Sequence, residues 1–213
     1  MAVKLTEYEL DCKCDYKLYD VILDDTEIET TVTLSPSTVS SWINRTEILN
    51  ESRLHRLIVG LDIEWRPNFK SGAGRNHVAT VQLCVGNSCL IYQIIHSTYI
   101  PRRLRNFLNS DDYRFVGVGI HCDVDKLWED YELEVSNTVD LREWASVELD
   151  KKKLINSGLK DLGKEIAGIE IEKPKSVTIS AWDQRWLSPN QICYACLDAY
   201  LSFQVGRVLS AWY

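Results

Sequence analysis

No run of apolar residues in this 213-residue chain approaches the length needed to cross a bilayer, and the opening Met1-Ala2-Val3-Lys4-Leu5-Thr6-Glu7 has no signal-peptide core. A soluble, intracellular protein is therefore expected, in the cytoplasm first and the nucleus second, with no membrane partner. Glycine and proline are scarce, which excludes collagen-like and disordered classes. Positive charge is also short. The 24 Lys and Arg against 31 Asp and Glu leave a formal net charge of -7, so bulk electrostatics would not coat a nucleic acid. An acid-lined cleft is still compatible with phosphate once a divalent cation is bound, because the ion's own charge enters the sum. Seven cysteines, an odd number without a secretory signal, fit reduced thiols better than a disulfide framework. The sequons Asn44-Arg45-Thr46 and Asn50-Glu51-Ser52 then carry no meaning.

An apolar fraction of 45% over this length is enough for one α/β domain with a full core. Residues 1–55 are read as an N-terminal hairpin and helix covering the same domain that occupies residues 56–213. Tyr16 to Leu23 and Glu27 to Leu34 are β-prone runs joined by Asp24-Asp25-Thr26, and Ser35-Pro36-Ser37 is a helix start. Leu57 to Trp65, His77 to Val85 and Ser88 to Tyr92 form an antiparallel meander, the last two joined by Gly86-Asn87. Strand and helix then alternate. Helices are expected after Pro101, over 123–131, 141–147 and 158–167, and from Ser188-Pro189 to about Leu209. The last shows an apolar stripe of Ile192, Ala195, Cys196, Ala199 and Phe203. This pattern predicts one mixed α/β sheet with helices packed on it.

Within Leu57-Ile58-Val59-Gly60-Leu61-Asp62-Ile63-Glu64-Trp65, a strand that should be buried carries two acids. Strand side chains alternate faces, so Asp62 and Glu64 point to the same side. Like charges that close raise each other's pKa and cost stability unless a cation lies between them or solvent reaches them at a strand end. Asp123 follows Gly117-Val118-Gly119-Ile120 at the head of a helix, where an acid is also a natural cap. Tyr194 and Asp198, at i and i+4, share one face of the last helix beside its apolar stripe, and an unpaired carboxylate there is costly.

Asp-x-Glu on a strand, an Asp after a Gly-rich turn and Tyr-x-x-x-Asp on a late helix match, in order, the three motifs of the DEDD exonuclease superfamily. The tyrosine form resembles the Werner-syndrome-type 3′-5′ exonuclease domain. The resemblance spans residues 56 to 209 and includes Ala79-Thr80-Val81-Gln82-Leu83-Cys84 and Gly158-Leu159-Lys160. It implies a ribonuclease H-like fold of the DnaQ type, with helices on both sheet faces. It also implies 3′-5′ hydrolysis of single-stranded nucleic acid to nucleoside monophosphates with two Mg²⁺ or Mn²⁺ ions. By that resemblance Asp62 bridges both metals, Glu64 and Asp198 hold the nucleophile-side ion, Asp123 acts on the other mostly through water, and Tyr194 orients water. The chain is most similar to the plant Werner-like branch of small-RNA-associated exoribonucleases. That implies RNA ahead of DNA, a homo-oligomer such as a ring-like hexamer, and silencing proteins as partners.

The chain departs from the pattern at His121-Cys122, where the Werner-type domain more often has Glu-Gly. His121 is read as structural or rim, since the histidine position of the other DEDD branch is Cys193. Cys193-x-x-Cys196 and Cys12-x-Cys14 fit no standard zinc pattern. Lys151-Lys152-Lys153 and Arg102-Arg103-x-Arg105 are either phosphate grips or solvated faces. Trp65, Trp182 and Trp186 are either stacking platforms or packing residues. A repair DNA exonuclease and a silent scaffold of the same fold are the rival readings, and the intact acid set speaks against silence.

Overall fold

The computed structural model describes residues 3–10, 14–69 and 74–210. One mixed sheet of eight strands organises them. In chain order these are β1 (Val3–Glu7), β2 (Tyr16–Leu23), β3 (Thr26–Thr33), β4 (Leu57–Glu64), β5 (Thr80–Val85), β6 (Ser88–Tyr92), β7 (Tyr113–Gly117) and β8 (Thr138–Asp140). Their spatial order is β1-β2-β3-β6-β5-β4-β7-β8. The expected meander is present: β4 pairs antiparallel with β5, and β5 with β6. Beyond it, β7 joins β4 and β8 joins β7 in parallel.

The N-terminal hairpin does not sit over this sheet as a cover but extends it. β2 and β3 pair antiparallel, and β3 then runs parallel to β6, Thr31 opposite Leu90. Val21, Ile28 and Val32 of the hairpin lie in the same core as the meander. α1 (Pro36–Leu49) is anchored through Trp42, whose indole Nε1 donates to Ser88 Oγ at 3.0 Å.

Helices occupy both faces. α7 (Pro189–Ser210) lies on the face to which Val116 points, since a Cβ at Gly206 would come 2.9 Å from Val116 Cγ2. Phe115 points the other way by alternation, and Phe107 of α2 (Arg102–Leu108) packs edge-on against it at 5.7 Å between ring centroids. The remaining α-helices are α3 (Ile120–Tyr131), α4 (Leu141–Glu148), α5 (Leu159–Leu162) and α6 (Lys175–Thr178). No helix among the described residues is long and apolar enough to cross a membrane.

Two helices differ from the expectation. Residues 158–167 do not form one α-helix: α5 passes into a wider π turn over Gly163–Ala167, closed by Gly168 at φ 68°. Gly163 is pressed on α7, where a Cβ would come 2.5 Å from Leu201 Cδ1, so packing of this turn overrides local propensity. α7 shows no single apolar stripe, because most of its residues from Gln191 to Leu209 are buried. It is a central helix held between the sheet and the α5 segment.

Candidate active site

The site forms where β4 and α7 cross. Gly60, Asp62 and Glu64 share the α7 face of β4, and Gly60 lets the helix backbone come close. A Cβ there would lie 2.0 Å from the Ala199 carbonyl oxygen and 2.7 Å from the Phe203 nitrogen. This approach carries Asp198 onto the two strand acids. Among the described residues one group of three candidate metal-ligating side chains converges, Asp62, Glu64 and Asp198, with one carboxylate oxygen from each within 4.8 Å of the others. Asp198 is 3% exposed and Glu64 9%.

Such a cluster should not be stable as three bare anions. Burial and the charges of Asp198 and Asp123 push the Asp62 carboxyl well up from the carboxylate range. Burial, then Asp62 and Asp198, raise Glu64 to about 10, and burial raises Asp198 despite the opposing pull of Lys173. Lys173 lies on the stretch before α6, and its Nζ is 2.7 Å from Asp198 Oδ2. Three buried side-chain atoms among the described residues lack a hydrogen-bond partner: Asp62 Oδ2, Asp198 Oδ1 and Gln82 Oε1. Gln82 is the cross-strand partner of Asp62, so its side chain shares this face. Two of the orphaned oxygens belong to the convergent carboxylates, and an all-oxygen set of this kind fits a hard divalent cation.

Asp123 stands apart from the convergent three. It is half-buried in the first turn of α3, after Gly119 at φ 73°, so the turn is closed by the glycine and Asp123 is not the cap. Asp140 accepts from the Gly119 N–H at 2.9 Å and is clamped in turn by the Arg142 guanidinium, which fixes the turn. Burial and the Asp140 charge raise Asp123 to about 7. The charge of Asp123 is nonetheless felt at Asp62 and Glu64.

Tyr194 is buried beside Asp198, and its hydroxyl accepts from Thr178 Oγ1 at 3.0 Å. Burial first, then the Asp198 charge, raises its pKa above the ordinary 10, so the phenol keeps its proton at neutral pH. Trp182 packs its ring 6.0 Å from Tyr194 and is fully buried, which makes it a packing residue. Trp65 is half-buried under the Lys126 ammonium, whereas Trp186 is exposed.

His121 and Cys122 are exposed on the first turn of α3. Cys196 accepts from Thr30 Oγ1 in the core and Cys193 is half-buried; Cys12 lies outside the described residues. The basic runs meet the protein's own surface: Lys151 and Lys153 pair with Glu165, Arg103 with Glu47, and Arg105 donates to the Glu132 carbonyl. Lys173, Thr178 and Gln82 are the site contacts that sequence reasoning did not single out. Their positions carry no periodic or motif signal of their own, although Gln82 lies in a stretch that contributes to the resemblance.

The raised carboxyl pKa values have a pH consequence. Without metal the folded state holds protons that the unfolded chain releases near pH 4, so these groups cost stability as pH rises from about 4. For Asp123 that loss continues to about 7. A divalent cation requires the ionised forms, so its stabilising effect must grow across the same window. Calorimetry with chelator or Mn²⁺ at about pH 5.5 and 7.5 is expected to show the larger Mn²⁺-induced rise in Tm at the higher pH. A rise that is equal or larger at the lower pH contradicts this placement of the protons.

A family model described as 3′-5′ exonuclease matches residues 33–210. A 3′-5′ exonuclease of Arabidopsis thaliana is 38% identical over 154 residues, covering 71% of this chain and 52% of that protein. The bifunctional 3′-5′ exonuclease/ATP-dependent helicase WRN of Mus musculus is 35% identical over 153 residues, covering 71% of this chain and 11% of its own length. The chain thus spans about half of the first relative and a small part of the second. Among solved structures, Escherichia coli RNase D, an exoribonuclease involved in structured RNA processing, superposes with a TM-score of 0.67 at 15% identity, over 85% of this chain and 44% of that one. The Aedes aegypti Nibbler EXO domain gives 0.66 at 20% identity, over 85% and 87%. These two likenesses show the fold alone, a ribonuclease H-like mixed α/β sheet.

Proposed function

The chain belongs to the 3′-5′ exonuclease domain family, and from this premise we propose that it removes nucleotides one at a time from the 3′ end of a single strand, RNA ahead of DNA. The observation that carries the reading is the convergence of Asp62, Glu64 and Asp198 with orphaned oxygens on two of them. The order of RNA over DNA rests on the resemblance to the plant Werner-like branch.

Asp62, Glu64 and Asp198 are the residues that would hold a divalent cation, Mg²⁺ or Mn²⁺, and Asp62 with Asp123 would serve a second. Two such ions, when bound, supply a water-derived nucleophile at neutral pH and offset charge on the attacking and leaving oxygens. The protein's own part is positional. β4 and α7 are core elements packed through Gly60, so the three carboxylates are held by buried, regular segments of the fold. Tyr194, kept protonated by burial, is a donor and orienter of the attacking water and not its base. Thr178 fixes the direction of that hydroxyl. Trp182 sets the ring behind it.

Tyr194→Phe keeps the ring and deletes the hydroxyl. It is expected to lower the single-turnover rate on the order of 10²- to 10⁴-fold, the range for a positioned proton-handling group, while Mn²⁺ affinity survives. Matched 3′-labelled RNA and DNA strands, digested with Mg²⁺, Mn²⁺ or chelator, test substrate and metal together. Faster release of labelled monophosphate from RNA supports the reading, and faster release from DNA favours the repair-type alternative. A Tyr194→Phe protein that cleaves at the parent rate makes the tyrosine a packing residue only.

A further inference from the structure

We propose that Lys173 is the internal counter-ion of the carboxylate cluster, competing with a divalent cation for Asp198, so that metal loading turns its ammonium outward toward solvent. The inference rests on the metal-binding part of the reading above and not on the nucleic acid cleaved. Lys173 Nζ lies 2.7 Å from Asp198 Oδ2 and 5.1 Å from the centre of the Tyr194 ring. Among the described residues no other ion pair reaches Asp62, Glu64 or Asp198. One oxygen of Asp198 is thus taken by the lysine while the other stays unpartnered.

An ammonium within hydrogen-bond distance of a carboxylate repels a dication brought to the same group, so both cannot hold Asp198 at full strength. The lysine has a way out. Its side chain is 27% exposed, and a long stem lets the hydrated head reach solvent by rotation alone. The backbone beside it is less free, because Pro174 follows directly and Thr178, at the end of α6, is hydrogen-bonded to the Tyr194 hydroxyl. The exchange is therefore one of side chains: the ammonium partners Asp198 in the metal-free protein and gives it up to the ion. A role in packing alone makes the opposite prediction, since loosening the segment over the site would weaken metal binding.

Mn²⁺ binding to the full chain, followed by loss of the free-ion electron paramagnetic resonance signal, separates these roles. Lys173→Met is expected to bind Mn²⁺ on the order of tenfold more tightly, within the usual range of coupling between two linked sites, and to melt earlier in chelator. Lys175→Met, which removes the exposed neighbouring lysine, is expected to do neither. If Lys173→Met does not fold, the parent protein carries the test. Acylation of amines read by mass spectrometry should label Lys173 more slowly than Lys175 in chelator, and several-fold faster once Mn²⁺ is saturating. Unchanged or weaker Mn²⁺ affinity in Lys173→Met, or labelling of Lys173 that ignores Mn²⁺, overturns the proposal and leaves the metal site standing. A parent protein that binds no Mn²⁺ overturns both.

Discussion

Replacing Asp62 with asparagine is expected to leave a folded protein that no longer shortens a strand. Asp62 is the acid on which the other site groups bear: it faces Glu64 and Asp198, feels the charge of Asp123, and has one oxygen enclosed without a partner. Asparagine keeps the shape and the strand pairing but cannot serve as an anionic ligand, so the stabilisation of attacking and leaving oxygens is lost with it. The same change removes a buried ionisable group from a like-charged cluster, and that relief acts in the metal-free state. Two opposite readouts follow. Cleavage should fall to background and the Mn²⁺-induced rise in Tm should shrink, while Tm in chelator stays at or above the parent value. An Asp62→Asn protein that is less stable in chelator would show the acid to be a structural partner and not a ligand.

The second large effect concerns the fold itself. Gly60→Ala would set a methyl carbon 2.0 Å from the Ala199 carbonyl oxygen and 2.7 Å from the Phe203 nitrogen. Both obstacles are helix backbone, so no side-chain rotation relieves the clash and α7 must move away from β4. The cost is expected at or above the upper end for overpacking, about 3 kcal/mol. For a chain of this size that corresponds to a fall in Tm of roughly 6 to 12 °C. Asp198 and Tyr194 ride on the same helix, so the surviving folded fraction should also be impaired in Mn²⁺ affinity. Gly74→Ala, where an added Cβ meets nothing within 4 Å, is the matching control and should change stability by no more than about 0.5 kcal/mol. Calorimetry on the two variants separates them, and a Gly60→Ala protein as stable as Gly74→Ala would contradict the close crossing on which the site depends.

Asp62, Glu64 and Asp198 were legible in the sequence because each sits where local geometry alone dictates its direction. Period-two alternation puts Asp62 and Glu64 on one face, and i to i+4 spacing pairs Tyr194 with Asp198. The crossing that unites these pairs had a weaker trace, since Gly60 reads as an ordinary strand glycine until α7 is laid over it. The parallel pairing of β3 with β6 left no local mark, because strands far apart in sequence meet through burial and not through a turn. The break of the 158–167 helix falls where Gly163 packs on Leu201 of α7, a contact no window around Gly163 contains. Lys173 was invisible for the same reason. In Glu170-Ile171-Glu172-Lys173-Pro174 it looks like one charge in a solvated stretch, and only the fold sets it against Asp198.

The central claim is that the carboxylates gathered by β4 and α7 support metal-dependent trimming from a 3′ end, and a 5′-labelled single strand of RNA tests it most directly. Incubated with the parent protein and Mn²⁺ or Mg²⁺, it is expected to give a ladder that shortens one nucleotide at a time with the label retained, and no change in chelator. A strand that stays full length with either metal, is cut internally, or loses its label first would contradict the account.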